Sequence, residues 1–100
     1  LDGGWMLSMA SGAELYALRF VDRGSGALEG AWRDARRPGA LDGFGFLDNI
    51  ERSGGKVTLR FSPRPGAPPT VITLSSAGQD QWSGEMIESG TPRSVTLRRR

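Results

Sequence analysis

Apolar residues recur at every second position through most of this chain, in short runs broken by Gly, Pro, Ser and Asp. The first run sets the pattern. In Gly3-Gly4-Trp5-Met6-Leu7-Ser8-Met9-Ala10, residues Trp5, Leu7 and Met9 fall on one side and Met6, Ser8 and Ala10 on the other. A period of two belongs to a strand with one buried face. The same alternation returns with Tyr16, Leu18 and Phe20, then with Leu28, Gly30 and Trp32. It continues with Phe44 and Phe46, with Val57, Leu59 and Phe61, with Ile72 and Leu74, with Trp82, Gly84 and Met86, and with Val95 and Leu97. Ser11-Gly12, Asp22 to Gly26, the loop from Ala35 to Asp42, Asn49 to Gly55, the four prolines between Pro63 and Pro69, Ala77-Gly78-Gln79 and Gly90-Thr91-Pro92 separate the runs. These are turn and loop compositions.

Short strands joined by turns predict an all-β fold, an eight-stranded antiparallel up-and-down β-barrel (a meander). One hundred residues fit a single domain, 1–100. No segment holds a helical period over ten residues. Gly30 to Arg37 is the nearest approach, but Gly30, Pro38 and the alternation favour a strand. Closing the meander removes exposed sheet edges. An eight-stranded interior is just wide enough for its own side chains or one small ligand. The inward-facing residues above are expected mostly to fill it, with Gly30 and Gly84 leaving room for bulky neighbours.

Composition narrows the chemistry. The chain has no cysteine and no histidine. Disulfides, thiolate metal sites and thiol nucleophiles are therefore excluded, as is the commonest general base. Of 13 basic residues, 12 are Arg and only Lys56 is Lys. Arginine suits carboxylate and phosphate recognition, although GC-rich codon usage explains the bias more simply. The net charge of +2 is small for a nucleic-acid binder, and this register turns nearly all aromatics inward, away from bases. No nucleic-acid partner is expected. No apolar run reaches membrane-spanning length, and neither a phosphate loop nor a calcium loop is present. No metal and no cofactor are expected. The chain opens at Leu1 without an initiator Met, and the expectation is a periplasmic or secreted protein.

Most acidic residues fall in turns or on outward positions. Asp34 and Asp48 differ, because each extends an inward register, after Trp32 and after Phe46. By this topology they lie near opposite ends, so no paired-carboxylate site is expected, and no catalytic residue is assigned. If strands alternate up and down, the two longest loops share one end with Arg36, Arg37, Arg64 and Arg93. Loops on a rigid scaffold favour function, so these four arginines are the candidate partner-binding residues.

Gly3-x-Trp5 on the first strand, with Arg98, Arg99 and Arg100 on the last, resembles the calycin pattern. That group includes lipocalins and small bacterial inhibitors of secreted metalloproteases. The resemblance implies a barrel in which the Trp seals one end and a basic residue of the last strand packs across it, here Arg98 or its neighbours Arg99 and Arg100. The chain departs from the inhibitors in lacking a disulfide and from lipocalins in being shorter. The leading expectation is a non-catalytic barrel, binding a protein or other macromolecule through loops at one end. The alternatives are a lipocalin-like carrier of a small apolar ligand, and an enzyme using Asp34, Asp48 or Tyr16 at the barrel mouth.

Overall fold

The computed structural model describes residues 2–22, 28–63 and 66–100. Among the described residues every regular element is a strand. They are β1 (Gly3–Met9), β2 (Glu14–Asp22), β3 (Leu28–Asp34), β4 (Phe44–Phe46), β5 (Asn49–Ser53), β6 (Lys56–Phe61), β7 (Thr70–Gly78), β8 (Gln81–Glu88) and β9 (Thr91–Arg99). All nine form one antiparallel sheet in the order β4-β3-β2-β1-β9-β8-β7-β6-β5. The fold is thus an all-β, up-and-down meander curled into a half-barrel, with the first and last strands paired at its centre. The expected turn at residues 23–26 lies outside the described residues.

The strand count and the closure differ from the sequence expectation of eight staves. Asn49 to Ser53, expected as a turn, is a strand paired with β6. Its sequence carries a single apolar residue, Ile50, so no alternation announces it. Its strand conformation comes from its neighbour. The chain changes partners within one step: the Leu47 amide donates to the Gly30 carbonyl (2.8 Å), and the Asp48 amide donates to the Arg60 carbonyl (2.8 Å). Strands β4 and β5 therefore stand as two edges, joined through the chain but not through a shared ladder.

Most of the inward list holds. Trp5, Leu7, Tyr16, Leu18, Phe20, Trp32, Val57, Leu59, Phe61, Ile72, Leu74, Met86, Val95 and Leu97 are buried. Met9, Leu28 and Trp82 pack against them while partly exposed. Tyr16, Trp32 and Phe61 form an aromatic triad inside, with Trp32 and Phe61 stacked at 5.2 Å and Tyr16 edge-on to Phe61 at 5.0 Å. Such pairs add about 0.5–1.5 kcal/mol beyond area burial.

Two assignments reverse. Phe44 and Phe46, expected inside, are 56% and 83% exposed. In the β3–β4 register Trp32 lies opposite Gly45, while Arg33 and Ala31 lie opposite Phe44 and Phe46. Trp32 points inward, so Gly45 shares its face, and the indole sits 3.1 Å from where a Gly45 Cβ would be. The phenylalanines therefore go outside. Leu15, expected outside, is fully buried. A bulge between Leu7 and Ser8 pairs Leu7 with Tyr16 but Ser8 with Glu14, leaving Leu15 as the extra residue. A bulge breaks strict alternation at its position.

Gly84 has little latitude. A Cβ built on it falls 1.9 Å from the Thr73 carbonyl oxygen on β7. That neighbour is backbone and does not step aside as a flexible side chain would. Gly84→Ala is expected to destabilise the fold by about 1–3 kcal/mol, read as a lower urea midpoint. A midpoint equal to wild type would show that β7 and β8 separate freely.

Trp5 is buried toward the end of the half-barrel away from the long loops. Its ring is covered by the Arg99 guanidinium, whose Cζ lies 4.4 Å from the ring centroid. Arg99 is held there by Nε donating to Asp80 Oδ1 (2.9 Å) and Nη1 donating to the Asp2 carbonyl (2.7 Å). Gly3 has φ +97°, and a Cβ there would approach Arg99 Nη1 to 3.0 Å. Both features favour glycine at this position. Of the three terminal arginines, Arg99 is the one over the tryptophan.

Candidate functional site

The opposite end is a polar mouth. Asp34 ends β3, Tyr16 lies near the start of β2, Glu88 ends β8, and Arg36 stands two residues into the β3–β4 loop. The fold brings them together because consecutive strands alternate direction, so these termini share one rim. Asp34 extends the inward register of Trp32, and Glu88 extends that of Met86.

Arg36 ties the cluster. Its Nε donates to Asp34 Oδ1 at 3.0 Å, and its backbone amide donates to the same oxygen at 2.9 Å. Nη1 and Nη2 donate to Glu88 Oε1 and Oε2, each at 2.9 Å, a forked pairing. Nη2 also donates to the Tyr16 hydroxyl at 2.8 Å, and that hydroxyl donates to Glu88 Oε2. The guanidinium lies over the Tyr16 ring, 4.9 Å from its centroid. The Asp34 side chain is 8% exposed and the Glu88 side chain 19%, whereas Arg36 is one-third open to solvent.

These contacts push proton affinities apart. Burial raises the Tyr16 phenol above its ordinary value, and donation to Glu88 adds to the rise. The hydrogen bonds from Arg36 hold the Glu88 carboxyl below its ordinary value, against the opposing effect of burial. The bond to Glu88 likewise raises Arg36. At neutral pH the phenol is a neutral donor, the carboxylate is charged, and the guanidinium is charged.

Beside this cluster is a cleft of about 390 Å³. Pro63, Ala67 and Pro68 from the β6–β7 loop line it together with Arg36, Arg37 and buried Thr70. Described residues of the two longest loops thus line one cleft beside the Arg36 cluster.

The four candidate arginines are placed as follows. Arg36 lies in the cluster and is engaged by two carboxylates. Arg37 lines the cleft and forms an ion pair with exposed Asp42. Arg93, near the start of β9, bears on Glu88 electrostatically and directs Nη1 at Met9 Sδ at 3.9 Å. Arg64 lies outside the described residues. Asp48, expected to extend an inward register after Phe46, is instead exposed, because Phe46 points outward and Leu47 packs against the core; it accepts from Ser62 Oγ at 3.4 Å, outside the Arg36 cluster. Glu88 was missed by sequence reasoning, though the signal was available: Met86–Glu88 repeats the Trp32–Asp34 step. Among the described residues no group of three His, Cys, Asp or Glu is placed to hold a metal ion. No described helix is long and apolar enough to cross a membrane.

The chain matches no family model, no curated protein and no solved structure.

Proposed function

We propose that this chain is a calycin-like, non-catalytic binding module that engages a protein partner through the polar mouth. The observation that carries this reading is the cleft itself. Residues of two long loops line it, among them Arg36, which Asp34, Glu88 and Tyr16 bind. Pre-organised polar groups lower the cost of ordering an interface.

Three features support the rest. Glycine, tryptophan and the arginine across it, at Gly3, Trp5 and Arg99, give the end-sealing arrangement that the calycin resemblance implies. Tyr16 and Glu88 are driven in opposite directions from the neutral range, whereas general acid–base work favours groups that titrate near it. Tyr16, Trp32 and Phe61 pack against one another in the interior, where an apolar-ligand carrier would hold its ligand.

The test is affinity capture followed by a binding titration with the protein captured. Arg37→Glu combined with Arg93→Glu should weaken that binding at least ten-fold. Both residues are suited to change, because Arg93 is exposed and the Arg37 pair with Asp42 is at the surface and worth about 0–1 kcal/mol. Arg52→Glu, outside the mouth cleft, should leave binding intact. Undiminished binding by the Arg37/Arg93 variant would remove the mouth from consideration.

A further inference from the structure

The outward turn of Phe44 and Phe46 builds a second surface, distinct from the mouth. On the convex side of the sheet, register pairing places residues in rows that cross four and five strands. One row runs Phe46–Ala31–Arg19–Gly4, and the Arg100 amide donates to the Gly4 carbonyl at its far end (3.0 Å). The next row runs Phe44–Arg33–Ala17–Met6–Arg98. Two aromatic rings thus stand at one side, arginines follow, and small residues lie between.

Neither row contains a carboxylate. Glu29, two residues along β3 from Ala31, is at the border of the patch. Among the described residues, Arg19, Arg33, Arg98 and Arg100 form no ion pair, unlike Arg36, Arg37 and Arg99. Arg33 lies over the Phe44 ring, 5.3 Å from its centroid. Between the phenylalanines and Arg100 the face holds an open groove of about 370 Å³, with Gly4, Ala17 and Ala31 along it.

We propose that this face binds single-stranded nucleic acid. Exposed rings on a sheet give unpaired bases a stacking platform, and unpaired arginines beside them meet the phosphates. Five adjacent strands span about 19 Å at ~4.8 Å per step, enough for a short single strand to cross. A second copy of the chain is a poorer occupant, because a two-fold contact would set these arginines against their own copies. An acidic peptide would satisfy the arginines and leave the two rings without planar partners. The small net charge of +2 does not oppose the proposal, because four arginines without ion pairs among the described residues share this one face. The proposal is independent of the mouth reading, since the two surfaces share no residue.

The experiment is fluorescence anisotropy of the full chain with a labelled twelve-nucleotide oligothymidine in low salt. Saturable binding is expected, with a log–log salt slope of about −2 to −3 for three to four phosphate contacts. Phe44→Ala combined with Phe46→Ala should weaken binding at least ten-fold while leaving the salt slope and the melting temperature close to wild type. Arg19→Gln combined with Arg33→Gln should flatten the slope by about 1.4. The Arg37/Arg93 mouth variant should bind the oligonucleotide like wild type. No binding at tens of micromolar protein would overturn the proposal. So would equal affinity for polyglutamate with no effect of the phenylalanine changes, which would mark a general anion surface. Binding to phosphatidylserine vesicles in preference to the oligonucleotide would overturn it as well.

Discussion

Trp5→Ala is expected to lower stability by about 3–5 kcal/mol, measured by urea unfolding followed by circular dichroism. Trp5 is 1% exposed and is the largest of the fully buried side chains among the described residues. Truncation leaves a cavity that β1 cannot collapse to fill, because β1 is paired on both sides, with β2 and with β9. It also removes the platform beneath Arg99. A domain of this size has a total stability of about 5–15 kcal/mol, so the variant should be marginal at room temperature. Arg99→Gln separates the two contributions. Alone it should cost about 0.5–1 kcal/mol, the value of a partly exposed cation–π contact, and in the Trp5→Ala background it should cost less. A Trp5→Ala loss below about 1 kcal/mol would mean that Trp5 does not seal the end.

Arg36→Met should cost about 2–4 kcal/mol at neutral pH. The guanidinium serves Asp34, Glu88 and Tyr16 together, and its removal leaves two carboxylates close together with little solvent access. Breaking a buried pair from one side costs about 3–5 kcal/mol. The range here is lower because Arg36 is one-third exposed, and water recovers part of the loss.

The pH dependence has a definite sign. The folded Glu88 carboxyl is held below its ordinary value of 4.5. It binds its proton less tightly when folded than when unfolded, so its contribution is fully present above about pH 4.5. That contribution is lost as pH falls through the depressed folded value. Wild type should weaken steadily in that acid range. In Arg36→Met the main cause of the depression is gone, so the wild-type advantage should shrink as pH drops from 6 to 3. A difference that stays constant over that interval would show that Arg36 acts through packing alone.

The strands were legible where a strand has one buried face and a regular neighbour. β1, β6 and the first half of β7 alternate cleanly, because every second side chain meets the core. The same rule located Asp34 and, if applied evenly, would have located Glu88, but it also placed Asp48 inside, where the outward Phe46 leaves it exposed. It failed at Leu15, where a bulge shifts the phase, and at Asn49 to Ser53, where β6 supplies the pairing and the segment buries little. It inverted Phe44 and Phe46, since Phe-Gly-Phe alternates equally well with either residue type inside.

What the amino-acid order determined alone is the period, most of the described turns and the absence of thiol and imidazole chemistry. These are local properties: side-chain direction, backbone freedom and residue identity. What only the tertiary structure decided is which side of β4 faces inward, which terminal arginine covers Trp5, and which carboxylates Arg36 holds. Each of these depends on register between strands far apart in the chain. Trp32 takes the space beside Gly45, Gly3 leaves the space for Arg99, and β2, β3 and β8 bring Tyr16, Asp34 and Glu88 around Arg36.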